Sequence, residues 1–92
     1  SFTASAVAIL VDEDIMVSQI KEISKKEAGN LLEDFRVFDI YTGEQIQEGK
    51  KSIAFNMVFR SHEKTLKDQE VNEIIDKIVK SLTEEIGAIL RD

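Results

Sequence analysis

From Ser52 to Arg60 large apolar residues alternate with smaller or polar ones. Ile53, Phe55, Met57 and Phe59 share one parity; Ser52, Ala54, Asn56, Val58 and Arg60 share the other. A period of two predicts a strand with one face in a core and one face outward. The outward parity is small and mildly polar instead of charged, and Asp39 and Tyr41 stand at the end of the preceding apolar stretch. Together they predict a flat surface on which something docks.

The remaining elements follow from the same pattern. Ala4 to Val11 is a short apolar run rich in Ala, Val and Ile, which predicts a central strand buried on both faces. Met16, Ile20, Ile23 and Ala28 recur at close to one helical turn, a narrow apolar stripe of a helix over about Met16–Ala28. Leu31 to Tyr41 reads as a second strand, with Phe38 and Ile40 toward the core and Asp39 and Tyr41 away from it. Asp34 and Arg36 share the parity of Phe38, so this strand is either bulged or overhangs the core at its start. Thr42 to Gly49 is a loop with a glycine near each end. Thr65 or Asp68 is the expected cap of a last helix, whose stripe runs through Val71, Ile74, Ile75, Ile78, Val79, Leu82 and Ile86. Gly87 ends it, and Ala88–Arg91 suits a short last strand.

The order is strand, helix, strand, strand, helix, strand. Right-handed crossovers place both helices on one side of a four-stranded antiparallel sheet. The expected fold class is therefore α+β, a ferredoxin-like split βαβ sandwich (βαββαβ) with the other sheet face open. Asp39, Tyr41, Ser52, Ala54 and Asn56 fall on that open face.

Composition narrows the chemistry. Ninety-two residues make one domain, and a start at Ser1 is read as a fragment of a longer chain. No cysteine is present, which excludes a disulfide framework, thiolate metal sites and a Cys nucleophile. No apolar run approaches the roughly 18 residues of a membrane span. The net charge of −6 argues against broad attraction to phosphates but leaves room for reading a few exposed bases by stacking and edge hydrogen bonds. Asp12-Glu13-Asp14 reads as a turn leading to a helix N-terminus, since three carboxylates without further ligands rarely cage an ion. His62, the lone histidine, sits in a polar connection and reads as solvated. No nucleophile–base pair, carboxylate pair or metal set assembles, so no catalytic and no metal residues are assigned. Acylphosphatases share this architecture but need an Arg in a Gly-rich loop after the first strand, where this chain has Asp12-Glu13-Asp14-Ile15. Small amino-acid-binding regulatory domains commonly use a glycine turn there, which is also missing.

Several separate motifs resemble one family, in the family's order. They are Phe38-Asp39-Ile40-Tyr41 with Gly43, Glu48-Gly49-Lys50-Lys51-Ser52-Ile53-Ala54-Phe55, Phe59-Arg60, Lys64-Thr65-Leu66-Lys67-Asp68-Gln69-Glu70-Val71 and Gly87-Ala88-Ile89-Leu90-Arg91. They resemble the ferredoxin-fold anticodon-binding domain that closes the beta subunit of bacterial phenylalanyl-tRNA synthetase. The chain departs from the family at Ser5-Ala6, where members often carry an Arg-Asp pair. The resemblance implies binding of the tRNA(Phe) anticodon loop, with Tyr41 stacking on a base, Asp39 accepting hydrogen bonds from a base edge, with guanine the expected base, and Ser52 bonding another base. Lys50 and Lys51 stand where cations reach flanking phosphates or serve as solvated turn residues; both readings stay open. Ala54 and Asn56 complete the surface. The resemblance further implies a cytoplasmic parent ligase that uses ATP and magnesium, with a synthetase alpha subunit as its partner. This domain itself is expected to hold no cofactor and to meet neither membrane nor DNA. The competing expectation is a ferredoxin-like regulatory or interaction module that takes a small molecule or protein on the same face.

Overall fold

The structure is a computed structural model and describes residues 3–91. Strand β1 spans Thr3–Asp12, helix α1 Val17–Ala28, strand β2 Leu32–Tyr41, strand β3 Lys50–Phe59, helix α2 Asp68–Ile86 and strand β4 Ile89–Arg91, with a single 3₁₀ turn over Gly29–Leu31. The sheet order is β2-β3-β1-β4, and all three pairings are antiparallel. This is the ferredoxin-like arrangement expected from periodicity.

One parity of the sheet carries the core. Val7, Ile9 and Val11 of β1 and Ile53, Phe55, Met57 and Phe59 of β3 are buried against Ile20, Ile23 and Ala28 of α1 and Val71, Ile78 and Leu82 of α2. Both helices therefore cover the same face. Phe35 of β2 joins from the edge, its ring centroid 4.9 Å from that of Phe55. Burial of this kind, at roughly 25 cal/mol per Å² of apolar surface, is the main force holding helices to sheet.

Three expectations need correction. β1 is central, but only one face is buried: Ala4 and Ala6 on the other parity are exposed, because no second layer covers that side. Phe38 does not face the core. The β2–β3 register slips between Leu32 and Asp34 and again between Val37 and Asp39, and Phe38 is the extra residue of the second bulge, 56% exposed. A bulge resets parity, so Phe35 and Val37 take the core positions. Ile40 keeps core parity opposite Ile53, yet lies at the strand's end and is 54% exposed.

The helix starts also differ. Lys67, not Thr65 or Asp68, is the N-cap of α2, and the Glu70 carboxylate accepts its backbone N–H at 3.1 Å. Met16, expected in the α1 stripe, is instead the exposed N-cap of α1, its N–H donated to Gln19 Oε1 at 2.8 Å. In both cases the residue three positions on satisfies an orphan donor by reaching back. Gly87 ends α2 in the left-handed conformation, φ 67°, as expected of a residue with no Cβ.

Candidate nucleic-acid interface

The face away from the helices is built by strand parity. β3 contributes Ser52, Ala54, Asn56 and Val58; opposite them β2 places Tyr41, Asp39, Arg36 and Asp34 in register. On the other side of β3, β1 supplies Leu10, Ala8, Ala6 and Ala4. β4 adds Ile89 and Arg91 opposite Leu10 and Ala8. The second bulge of β2 brings Asp39 to this face. Without it, Asp39 would share the parity of Val37 and point at the helices.

Tyr41 pairs directly with Ser52, and Asp39 with Ala54, so the three residues singled out from sequence form one contiguous patch. Tyr41 is 43% exposed, enough to offer ring surface to a ligand. Asp39 is exposed, and among the described residues no cation lies within ion-pair distance of it. The other two carboxylates of the face are engaged: Asp34 lies 4.0 Å from Arg36 and Asp12 lies 2.7 Å from Lys50. Among the described residues Asp39 is thus the aspartate of this face with no cation in ion-pair range.

Ser52 differs from its neighbours. Only 5% of it is exposed, and its Oγ accepts a hydrogen bond from Arg91 Nη1 at 2.9 Å. Arg91 thus stands over the serine and presents the rest of its guanidinium outward. Sequence reasoning missed Arg91 because it sits in a three-residue strand too short to show alternation. The signal was parity counted back from Ile89, which needs the strand pairing to be known. The two lysines also separate. Lys50 lies opposite Asp12 on the open side, whereas Lys51 lies opposite the buried Val11. Lys51 therefore belongs to the helix-covered parity at the sheet's end, away from the patch. Ala54 is half-buried and Asn56 exposed, both on the open face.

The loop between β2 and β3 buttresses Tyr41. Ile46 is buried, and its N–H is donated to Gly43 O at 3.0 Å; Lys50 N–H goes to Gln47 O at 3.1 Å, and Glu13 N–H reaches Gly49 O at 3.0 Å. Gly43 has φ +152°, and a Cβ there would stand 2.9 Å from Tyr41 Oη and 3.2 Å from Tyr41 Cζ.

Charge is segregated. The open face carries Asp12, Asp34 and Asp39 against Arg36, Lys50 and Arg91, and is balanced. The excess negative charge lies on α2, where Asp68, Glu70, Glu73, Asp76, Glu84 and Glu85 outnumber Lys77 and Lys80. Hydrogen bonds from the Lys64 ammonium and the Lys67 backbone hold the Glu70 carboxylate of this helix below its usual range. The net charge is therefore not evidence against this face meeting RNA.

A concavity of about 410 Å³ lies between the helices, lined by Ser18, Gln19, Glu22, Ile23, Glu85 and Ile86. It sits on the covered side and offers no nucleophile–base pair. Among the described residues no three His, Asp or Glu side chains gather to hold a metal ion, and no helix is long and apolar enough to cross a membrane.

Known proteins resemble this chain over nearly its whole length. The family model described as "Ferredoxin-fold anticodon binding domain" matches residues 5–91. The chain is 47% identical over 85 residues to the phenylalanine–tRNA ligase beta subunit of Clostridium tetani, 49% over 84 residues to that of Syntrophotalea carbinolica and 45% over 85 residues to that of Aquifex aeolicus. These alignments take in 91–92% of this chain but only 10–11% of each relative's length. With the match running from β1 into β4, the chain belongs to the ferredoxin-fold anticodon-binding domain family.

Proposed function

We propose that this chain reads the anticodon loop of tRNA(Phe) on its open sheet face, as one module of a phenylalanine–tRNA ligase beta subunit. The observation that carries the proposal is the contiguity of Asp39, Tyr41 and Ser52 on an uncovered, charge-balanced face. Tyr41 stacks on one base; such a contact is worth about 1–3 kcal/mol and tolerates any base. Asp39 supplies selectivity, because a carboxylate accepts only from N–H donors and guanine presents two on its Watson–Crick edge. Ser52 and Arg91 act together: the hydroxyl orients the guanidinium, whose remaining N–H groups meet an acceptor of the RNA. Lys50, held by Asp12, lies at the rim toward the flanking phosphates.

Ligation, ATP, magnesium and contact with a synthetase alpha subunit belong in this reading to the rest of a cytoplasmic parent enzyme. No chemical step is assigned to the residues of this chain. The competing reading is a ferredoxin-like regulatory or interaction module that takes a small molecule or protein on the same face. The concavity described above lies between the helices, on the other side of the sheet.

The test is a titration of the 92-residue chain, observed by NMR, with a stem-loop carrying GAA and with a scrambled loop at moderate salt. Shifts confined to Asp39, Tyr41, Ser52 and Arg91, and specific to GAA, are expected. Equal shifts with both loops that vanish with added salt would reduce the interaction to phosphate attraction. The absence of any shift would refute binding by the chain alone.

A further inference from the structure

The patch just described depends on a residue that touches no RNA in that reading. The hydroxyl end of the Tyr41 ring lies over the α-carbon of Gly43. A residue with a Cβ at 43 therefore competes with the ring for one space. The clash is with Oη at 2.9 Å and Cζ at 3.2 Å, atoms at the end of a rigid ring with only two side-chain torsions. Gly43 is itself held, because its carbonyl accepts from Ile46 N–H and Ile46 is buried. The ring would therefore have to yield, not the backbone.

We infer that Gly43 is a positioning residue: its bare α-carbon is the seat of the Tyr41 ring, and the anchored loop fixes the angle at which that ring is offered for stacking. The inference rests on the anticodon reading for its consequence on RNA, but the seat itself is testable without RNA. Preorganisation of this kind lowers the ordering cost of binding.

Gly49 supplies the control. It has φ +84° in the same loop, yet a Cβ there would meet nothing within 4 Å. Gly49→Ala therefore imposes backbone strain without touching the ring. Tyr41 is the sole tyrosine and the chain has no tryptophan, so tyrosine fluorescence and ring-proton resonances report this side chain alone.

Gly43→Ala is expected to move the ring signals and to weaken binding of the GAA stem-loop about tenfold, the scale of one lost stacking contact. Gly49→Ala is expected to leave the ring signals in place and binding within about twofold. In a Tyr41→Ala background the seat is empty, so Gly43→Ala should then lower the melting temperature by less than it does beside the tyrosine, the remainder being backbone strain at φ +152°. This arm holds even if the single Gly43→Ala variant fails to fold. Unmoved ring signals in Gly43→Ala, equal movement in Gly49→Ala, or an undiminished penalty in the Tyr41→Ala background would overturn the seat. If the unaltered chain ignores both loops, the anticodon reading falls while the ring signals still decide the seat.

Discussion

Phe55 and Ala54 are neighbours on β3 and sit on opposite sides of the same sheet. Phe55 is buried between two helices and stacks near Phe35, while Ala54 is half-buried on a face with no second layer. The middle of the covered face is made of Ile, Val, Phe and Met, with Lys51, Thr3 and Ser5 only toward the sheet's ends, and packing accounts for it. The open face is mixed: alanines on β1, a serine under an arginine, an uncommitted aspartate and a tyrosine propped by its loop. A face that only needed to be soluble would be charged throughout. This one sets single polar groups of β2, β3 and β4 among small residues, and that difference is why the proposed anticodon reading falls on it.

The comparison breaks most visibly under core truncation. Phe55→Ala should cost about 3–5 kcal/mol of stability, from lost transfer energy plus the cavity left behind. Ala54→Ser, one residue away on the other face, should stay within about 0.5 kcal/mol. Urea unfolding of the two variants checks this. A comparable loss at both would show that the open face is itself packed against something in solution.

Recognition should show the reverse pattern. Asp39→Asn is expected to leave the urea midpoint unchanged while costing about 1–3 kcal/mol of affinity for a loop with guanine at the recognised position. The variant should discriminate less against adenine there. Competition titrations with paired loops measure both quantities. An affinity loss equal for every loop would move Asp39 from selecting a base to shaping the surface.

Arg91→Ala sharpens the β4 flank. Weaker binding to all loops alike is expected, with the salt dependence of log K shallower by about 0.7 if the guanidinium meets one phosphate of a single strand. Ser52→Ala should give a milder version of the same defect, because it frees the guanidinium without removing it. A Ser52→Ala effect larger than that of Arg91→Ala would instead make the hydroxyl the direct contact.

How much of this was legible beforehand follows from where strands keep their period. β3 alternates in burial from Ile53 to Phe59 and keeps an unbroken register with β1, so the core and Ser52, Ala54 and Asn56 could be assigned by counting. β2 slips twice, and counting from Phe38 gave it and Ile40 to the core. A bulge leaves no mark in the parity of a single strand beyond a conflict, here Asp34 and Arg36 sharing parity with Phe38. The conflict showed that something was irregular but not where the chain reset. Asp39 was placed correctly because it lies after the last slip, with Tyr41. Arg91 and the separation of Lys50 from Lys51 depend on pairing between distant strands, which local pattern does not carry. The alanines of β1 misled for a simpler reason: an apolar run reads the same whether covered on both faces or left smooth on one.

The smallest effect concerns the outer surface of α2, far from both arguments. Hydrogen bonds from Lys64 and the Lys67 backbone lower the pKa of Glu70 below its ordinary value of 4.5. A depressed carboxylate contributes stability that is complete above its unfolded pKa and is lost as pH falls through the folded one. The melting temperature should therefore be insensitive to Glu70 near neutrality and lose its contribution below about pH 4.5. Glu70→Gln keeps an acceptor for the Lys67 N–H but cannot ionise, so its acid limb should be slightly flatter than that of the unaltered chain. The group is solvent-exposed and the pairing is screened by salt, so the difference should shrink further at high ionic strength. RNA binding should not change at all, since α2 lies behind the sheet. A Glu70→Gln variant that altered affinity for the GAA loop would mean that the charge-rich helix layer takes part in recognition, and the division of labour between the two faces would have to be redrawn.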